Sequence, residues 1–144
     1  MWRIKDDRKD SPGNVNEHYS GDIQPTEFIV AASLSWLDGN VVKYLCRYKK
    51  KNGVEDLKKA MWYLESLIEY EDIIRGTIVE EERIPSRMVL FYETSELFDV
   101  FSKSQNLGAL EKRILNVVVF YQNLRALSLT EAKNTLQELI DETK

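Results

Sequence analysis

The chain has 144 residues, a length that fits one domain and leaves little room for two independent hydrophobic cores. Its composition, 43% hydrophobic and 31% charged with six glycines and three prolines, is that of a globular protein and excludes disordered and collagen-like chains. One cysteine and one histidine cannot form an internal disulfide or a Cys/His zinc site. The net charge of −4 argues against a protein that coats nucleic acid.

In chain order, residues 1–24 are polar and contain two turn signals, so we expect an irregular arm. Helices are predicted over about 25–35, 40–50, 53–73, 86–103, 109–127 and 129–142, with residues 37–40 breaking the chain between the first two. Asn52 with Glu55, and Ser128 with Glu131, resemble capping boxes for the third and the last helix. The pattern therefore predicts an all-α fold, a compact bundle of about six helices with an irregular N-terminal arm.

Apolar segments are short throughout the chain. No run of 18 apolar residues is present, so we expect no membrane-spanning segment. The N-terminus is charged and lacks the apolar stretch of a secretory signal. These features favour a cytoplasmic protein without a membrane partner.

The charge is uneven, and one segment is strongly basic. Residues 41–60 contain seven basic and two acidic residues, whereas residues 61–100 contain three basic and ten acidic residues. A short basic segment in an acidic protein suits a localised anion such as the phosphates of a nucleotide.

The basic segment has a helical spacing that could build a phosphate site. Lys43 and Arg47 lie at i and i+4 on one predicted helix, and Asp56, Lys59 and Tyr63 lie at i, i+3 and i+7 on the next. If the turn at residues 51–53 folds the helices antiparallel, the two stripes face each other and bring several cationic donors together. The first N–H groups of the third helix would add donors. The aromatic residues placed to stack on a base are Tyr44, Trp62 and Tyr63.

A purely structural interpretation of the same residues stays open at this point. Lysines near a helix end are often solvated, and Asp56 could serve only as an acidic residue in a first helical turn. Lys59 could be an exposed partner of Glu55 or Glu65. The aromatic residues could equally belong to the core or to a subunit contact.

A second constellation is acidic. Glu93, Glu96 and Asp99 share one face of the fourth predicted helix, and Glu65 and Glu69 lie on the third. Such carboxylates could hold Mg²⁺, as in all-α nucleotide pyrophosphohydrolases, but their order and spacing differ from the motif of that family. A solvated acidic face is the preferred interpretation.

The motifs of residues 18–70 resemble the SaV-like family of small phage proteins, a domain of unknown function. The matching residues are His18-Tyr19, Gly39–Leu45, Arg47-Tyr48, Lys51-Asn52-Gly53, Glu55–Ala60 and Tyr63-Leu64. That family includes a phage deoxynucleoside monophosphate kinase without a Walker A loop. The resemblance implies transfer of a phosphoryl group from a nucleoside triphosphate to dTMP or dGMP, in the cytoplasm of an infected bacterium. It implies nucleotides as partners, with Mg²⁺ possible alongside the triphosphate and no metal-binding residue assigned with certainty. The apolar surface of six amphipathic helices predicts a homo-oligomer, and the acidic net charge predicts no extended nucleic-acid binding.

The resemblance also assigns roles to individual residues. The catalytic set would be Arg47, Lys43, Asp56 and His18, and the substrate-binding set would be Tyr19, Asn40, Tyr44, Lys51, Asn52, Lys59 and Tyr63. Asp56 would orient Arg47 or a lysine, or hold Mg²⁺. Within a single domain, residues 1–24 would form the arm, 25–74 the nucleotide-binding core, and 75–144 the helices that complete the core and make oligomer contacts.

Three alternatives remain open from the sequence. The first is a non-catalytic nucleotide binder that sequesters a host signalling nucleotide, favoured by the scarcity of acid–base residues. The second is an interaction module whose C-terminal helices dock a protein. The third is an enzyme similar to the all-α pyrophosphohydrolases.

Overall fold

The computed structural model describes residues 22–71, 73, 85–124 and 126–143 and, over 85–92, the course of the backbone alone. Within these ranges the chain is helical and contains no β-strand, so the predicted all-α fold is confirmed. Of the predicted arm, only residues 22–24 are described. The helices in chain order are α1 (Pro25–Ala31), α2 (Trp36–Arg47), α3 (Val54–Glu69), α4 (Pro85–Ser104), α5 (Ala109–Phe120) and α6 (Leu129–Thr143).

Helix α2 begins four residues earlier than predicted, and the expected break at residues 37–40 is wrong. The Ser35 hydroxyl accepts a hydrogen bond from the backbone N–H of Asp38 (3.2 Å), and the Asp38 carboxylate accepts one from the N–H of Ser35 (3.4 Å). This capping box satisfies N–H groups that have no partner within the helix. Trp36 is therefore the first residue of α2, and Asp38 and Gly39 are buried in its first turns.

Gly39 permits a close approach of α1 to α2. A Cβ atom at this position would lie 3.0 Å from Cγ2 of Ile29, tighter than ordinary van der Waals contact. On its other side α1 places the fully buried Phe28 against Phe101 of α4, with stacked rings 4.3 Å apart. Helix α1 thus joins α2 to α4.

The turn between α2 and α3 depends on Gly53. Its φ of 57° lies in the left-handed region that glycine adopts without steric cost, and its N–H donates to the carbonyl of Tyr48 (2.8 Å). The predicted Asn52–Glu55 capping box is wrong, because Gly53 is the N-cap residue and Asn52 bonds to Asp56 instead. The turn folds α3 back onto α2, which is the condition that the predicted phosphate site required.

The C-terminal helices complete one core. Helix α3 also packs on α6, α6 on α5, and α5 on α2. One cluster of buried apolar side chains draws on all six helices, so the N-terminal and C-terminal parts share it. Helix α5 ends at Phe120 rather than near 127, and Ser128 caps α6 by accepting from the N–H of Glu131 (3.3 Å). None of the described helices combines the length and the apolar character that a membrane crossing needs.

A buried hydrogen bond ties the end of α2 to the start of α5. The Tyr48 hydroxyl donates to the Glu111 carboxylate at 2.6 Å, and both side chains are buried. Burial and this hydrogen bond raise the pKa of Tyr48 well above its usual range. The ammonium of Lys49 lies 3.6 Å from the same carboxylate, so Lys49 faces α5 rather than α3.

Tyr48→Phe is expected to lower the free energy of unfolding by about 2 kcal/mol, because the buried Glu111 carboxylate loses its short hydrogen bond. Denaturant unfolding followed by circular dichroism measures the change. Tyr63→Phe is the matched control: it removes the same hydroxyl from a half-buried tyrosine and should change stability by less than about 0.5 kcal/mol. Equal losses in both variants would show that the Tyr48–Glu111 bond contributes nothing particular.

Candidate anion-binding site

Three cations surround the ring of Tyr44. Lys43 Nζ lies 4.4 Å from the ring centroid, Arg47 Cζ 5.0 Å and Lys59 Nζ 5.6 Å. Lys43 and Arg47 belong to α2 and Lys59 to α3, so the chain brings together the two basic stripes that the sequence predicted to face each other. These distances fall in the range of cation–π attraction. We call Lys43, Arg47 and Lys59, with the Tyr44 ring, the cationic cluster.

Asp56 holds Arg47 in place through a two-pronged salt bridge. Arg47 Nε donates to Asp56 Oδ2 at 3.1 Å, and Nη2 donates to Oδ1 at 3.2 Å. This paired geometry fixes the plane of the guanidinium as well as its position. The Asp56 side chain is fully buried, whereas 36% of the Arg47 side chain is exposed. The exposed part of Arg47 can therefore contact a ligand while the salt bridge to the buried Asp56 fixes the orientation of the guanidinium.

Asn52 completes the surroundings of the Asp56 carboxylate. The Asn52 backbone N–H donates to Oδ2 (3.3 Å) and its side-chain amide to Oδ1 (3.4 Å), so each oxygen accepts two hydrogen bonds. Burial raises the pKa of Asp56, but the hydrogen bonds from Arg47 and Asn52 outweigh it, and the pKa lies below the usual value. Asp56 is thus a buried anion that positions Arg47 and the turn.

Lys43 and Lys59 are not neutralised by the part of the chain that the structure describes. Within it, no carboxylate lies within 4.0 Å of either ammonium group. Glu55 and Glu65, the alternative partners considered for Lys59, contact Lys58 and Lys133 instead. Because two ammonium groups and a guanidinium gather around one ring, the cluster presents a concentrated positive potential.

An aromatic surface continues from the cationic cluster. Tyr63 lies nearly parallel to Tyr44, with ring centroids 6.0 Å apart, and the Trp36 and Trp62 indoles meet Tyr63 edge-on at 5.2 Å and 5.0 Å. Both indoles are largely exposed, Trp36 by 68% and Trp62 by 59%. We call Trp36, Trp62 and Tyr63 the aromatic ridge. Sequence analysis missed Trp36, although the Ser35–Asp38 capping pattern identifies it as the first residue of a helix.

The remaining predicted residues fall into three groups. Asn40 lies on α2 and donates its side-chain amide to the carbonyl of Trp36 at 2.8 Å. Lys51 is exposed in the turn after α2, and no contact joins it to the cationic cluster. His18 and Tyr19 lie outside the described residues.

The acidic residues of α3 and α4 are not brought into one group. Glu65 contacts Lys133 of α6 (3.4 Å), and Asp99 contacts Lys103 on its own helix (3.4 Å). Glu93 and Glu96 are exposed on α4. In the described part of the chain, no three histidine, cysteine, aspartate or glutamate side chains lie close enough to hold a metal ion. The contacts of these residues give no support to the pyrophosphohydrolase alternative.

Comparison with known proteins adds one finding. Residues 11–65 match the model of a family described as a protein of unknown function, DUF3310. The matched segment includes α1, α2 and three quarters of α3, and so contains the whole cationic cluster and the aromatic ridge. No curated protein and no solved structure matches the chain. The resemblance seen in the motifs is therefore supported as far as an uncharacterised domain family over this segment.

Proposed function

We propose that the cationic cluster binds the phosphates of a nucleotide and that the protein transfers a phosphoryl group from a nucleoside triphosphate to dTMP or dGMP. The observation that supports this most is the convergence of Lys43, Arg47 and Lys59 on one ring, with Arg47 oriented from behind by a buried carboxylate. The transferred group and its donor phosphates carry several negative charges, and such a cluster neutralises them.

The roles of the cluster follow from what phosphoryl transfer requires. An oxygen of the acceptor monophosphate attacks the γ-phosphorus, the bond from that phosphorus to the β–γ bridging oxygen breaks, and two nucleoside diphosphates form. The protein contributes position and charge neutralisation more than covalent chemistry. Arg47 would grip two phosphate oxygens, and Lys43 and Lys59 would hold the flanking phosphates. Mg²⁺ would arrive with the triphosphate.

The structure favours one of the two roles considered for Asp56. Both of its oxygens already accept two hydrogen bonds, and its side chain is fully buried. Orienting Arg47 is therefore a sufficient role for the Asp56 carboxylate, and this role requires no metal ion. The same observation is compatible with a second candidate, a nucleotide binder that does no chemistry, because Asp56 would orient Arg47 in the same way for binding alone.

One experiment separates these candidates. The purified protein is incubated with each deoxynucleoside monophosphate and a triphosphate donor, with and without Mg²⁺, and the products are separated by chromatography. Binding of the same nucleotides is measured in parallel by calorimetry. A diphosphate formed from dTMP or dGMP establishes the kinase, whereas binding without product establishes the binder. If no nucleotide binds, both proposals are wrong.

Lys59→Ala is expected to weaken nucleotide binding about tenfold, because one charge-assisted contact to phosphate is lost. Lys58→Ala is the matched control. Lys58 is the adjacent lysine on α3, it contacts Glu55 at 3.9 Å, and no contact joins it to Tyr44. Its replacement should leave the dissociation constant within about twofold. Equal effects of both substitutions, measured by calorimetry, would indicate general electrostatic attraction rather than a built site.

Other parts of the functional prediction stay predictions. They are the phage origin, the cytoplasm of an infected bacterium as location, and a homo-oligomer as the working assembly.

A further inference from the structure

Both tryptophan side chains of the aromatic ridge are more exposed to solvent than buried against the protein. Trp36 and Trp62 meet Tyr63 at interplanar angles of 80° and 86°, and more than half of each tryptophan residue stays exposed to solvent. Large exposed aromatic faces are uncommon on a protein surface and mark sites of interaction. The question is which ligand would cover them.

Trp36 is the indole in line with the cationic cluster. It shares one face of α2 with Asn40, Lys43 and Arg47, which follow it at intervals of three or four residues. Seven residues separate Trp36 from Lys43, a rise of about 10 Å along the helix. Trp62 follows Lys59 by three residues on α3, so it neighbours one member of the cationic cluster, whereas Trp36 lies in line with two, Lys43 and Arg47.

The Trp36 backbone is fixed at the start of α2, and its indole has one described ring contact, with Tyr63. The Trp36 backbone occupies the first position of α2 after the Ser35 cap, and its carbonyl accepts the Asn40 amide at 2.8 Å. The edge contact with Tyr63 supports the indole from α3. A ring that is restrained on one side loses less conformational entropy when it stacks on a ligand than an unrestrained ring does.

We propose that Trp36 is the base-stacking subsite of the nucleotide site, so that one ligand spans the indole with its base and the cationic cluster with its phosphates. This rests on the proposed function and adds which surface recognises the base and by what interaction. The charge beside the ridge favours one kind of ligand. An anion with a flat aromatic group satisfies both surfaces, whereas an apolar protein segment would leave the ammonium groups of Lys43 and Lys59 desolvated without partners.

The test compares a ligand that has a base with one that has none. Binding of dGTP and of inorganic tripolyphosphate is measured by calorimetry with the full chain and with Trp36→Ala, Trp36→Phe and Trp62→Ala. Trp36→Ala should weaken dGTP binding about tenfold and leave tripolyphosphate within about twofold, because stacking on one ring is lost and the phosphate contacts remain. Trp36→Phe, which keeps a smaller ring, should fall between. Trp62→Ala tests the competing indole and should lose much less affinity for dGTP than Trp36→Ala does.

The outcomes separate this inference from the proposed function. If Trp36→Ala binds dGTP as well as the unchanged chain does, or if Trp62→Ala is the variant that loses affinity, the base does not stack on Trp36, and the phosphate site still stands. If Trp36→Ala loses dGTP and tripolyphosphate equally, the substitution disturbs the whole site and the assignment is wrong. If the unchanged chain binds neither ligand, both the subsite and the nucleotide site are wrong.

Discussion

Arg47→Ala is expected to abolish nucleotide binding, with a loss of affinity of about a hundredfold or more. Two effects combine. The variant loses the cation that can offer paired donors to phosphate oxygens, and it exposes the site to the unopposed charge of Asp56. Arg47 is one of the groups that lower the pKa of Asp56, so its loss raises that pKa, and an Asp56 carboxylate that stays ionised in the variant would repel an incoming anion. Calorimetry with a nucleoside triphosphate measures the loss.

The same substitution is also expected to lower stability. The variant should keep its helices, but the buried Asp56 would keep only the hydrogen bonds from Asn52. A buried carboxylate without its cation is strongly destabilising. The double variant Arg47→Ala/Asp56→Asn removes that charge and serves as the control. It should recover much of the stability, measured by denaturant unfolding, without recovering affinity. Undiminished nucleotide binding by either variant would show that the cluster is not the site.

Much of this site could be predicted from the spacing of residues alone. Lys43 and Arg47 lie one helical turn apart, and so do Asp56 and Lys59, so an antiparallel pairing of α2 and α3 through these faces brings the four together. The apolar positions of α3 fixed which side of that helix faces inward. The short turn at Gly53 then left few other ways to pair the helices.

The spacing of residues along the helices could not predict which group each charged side chain contacts. Whether Arg47 contacts Asp56, a phosphate or solvent depends on side-chain directions set by the whole bundle. The start of α2 was placed wrongly for a different reason. The sequence Asp38-Gly39-Asn40 is typical of a turn. In the structure, however, Asp38 caps the helix together with Ser35, and Gly39 allows the close contact with α1. Because that error put Trp36 outside a helix, the aromatic ridge was seen only in part.

The buried Asp38 is expected to make the free energy of unfolding depend on pH. Burial raises its pKa from the usual 3.8 to about 6, and the hydrogen bonds with Ser35 offset only part of this. Only 2% of the residue is exposed, and its Oδ1 finds no hydrogen-bond partner in the described part of the chain. The folded protein therefore binds a proton more tightly than the unfolded chain does. The stability contributed by this group is fully present below about pH 4 and is lost as the pH rises through about 6.

Asp38→Asn is accordingly expected to stabilise the protein above pH 6 by about 2 kcal/mol. A pKa shift of about two units corresponds to about 3 kcal/mol, and an unpartnered amide in place of Oδ1 costs about 1 kcal/mol of that gain. Asparagine keeps an oxygen that can accept from Ser35, so the cap of α2 survives. Denaturant unfolding of both proteins between pH 4 and 8 should show a stability difference that grows up to about pH 6 and is then constant. Changes at Asp56 and other carboxylates cancel in this difference, because both proteins contain them. A difference that is the same at every pH would mean that Asp38 does not take up a proton in this range, and that its carboxylate is compensated in the folded state.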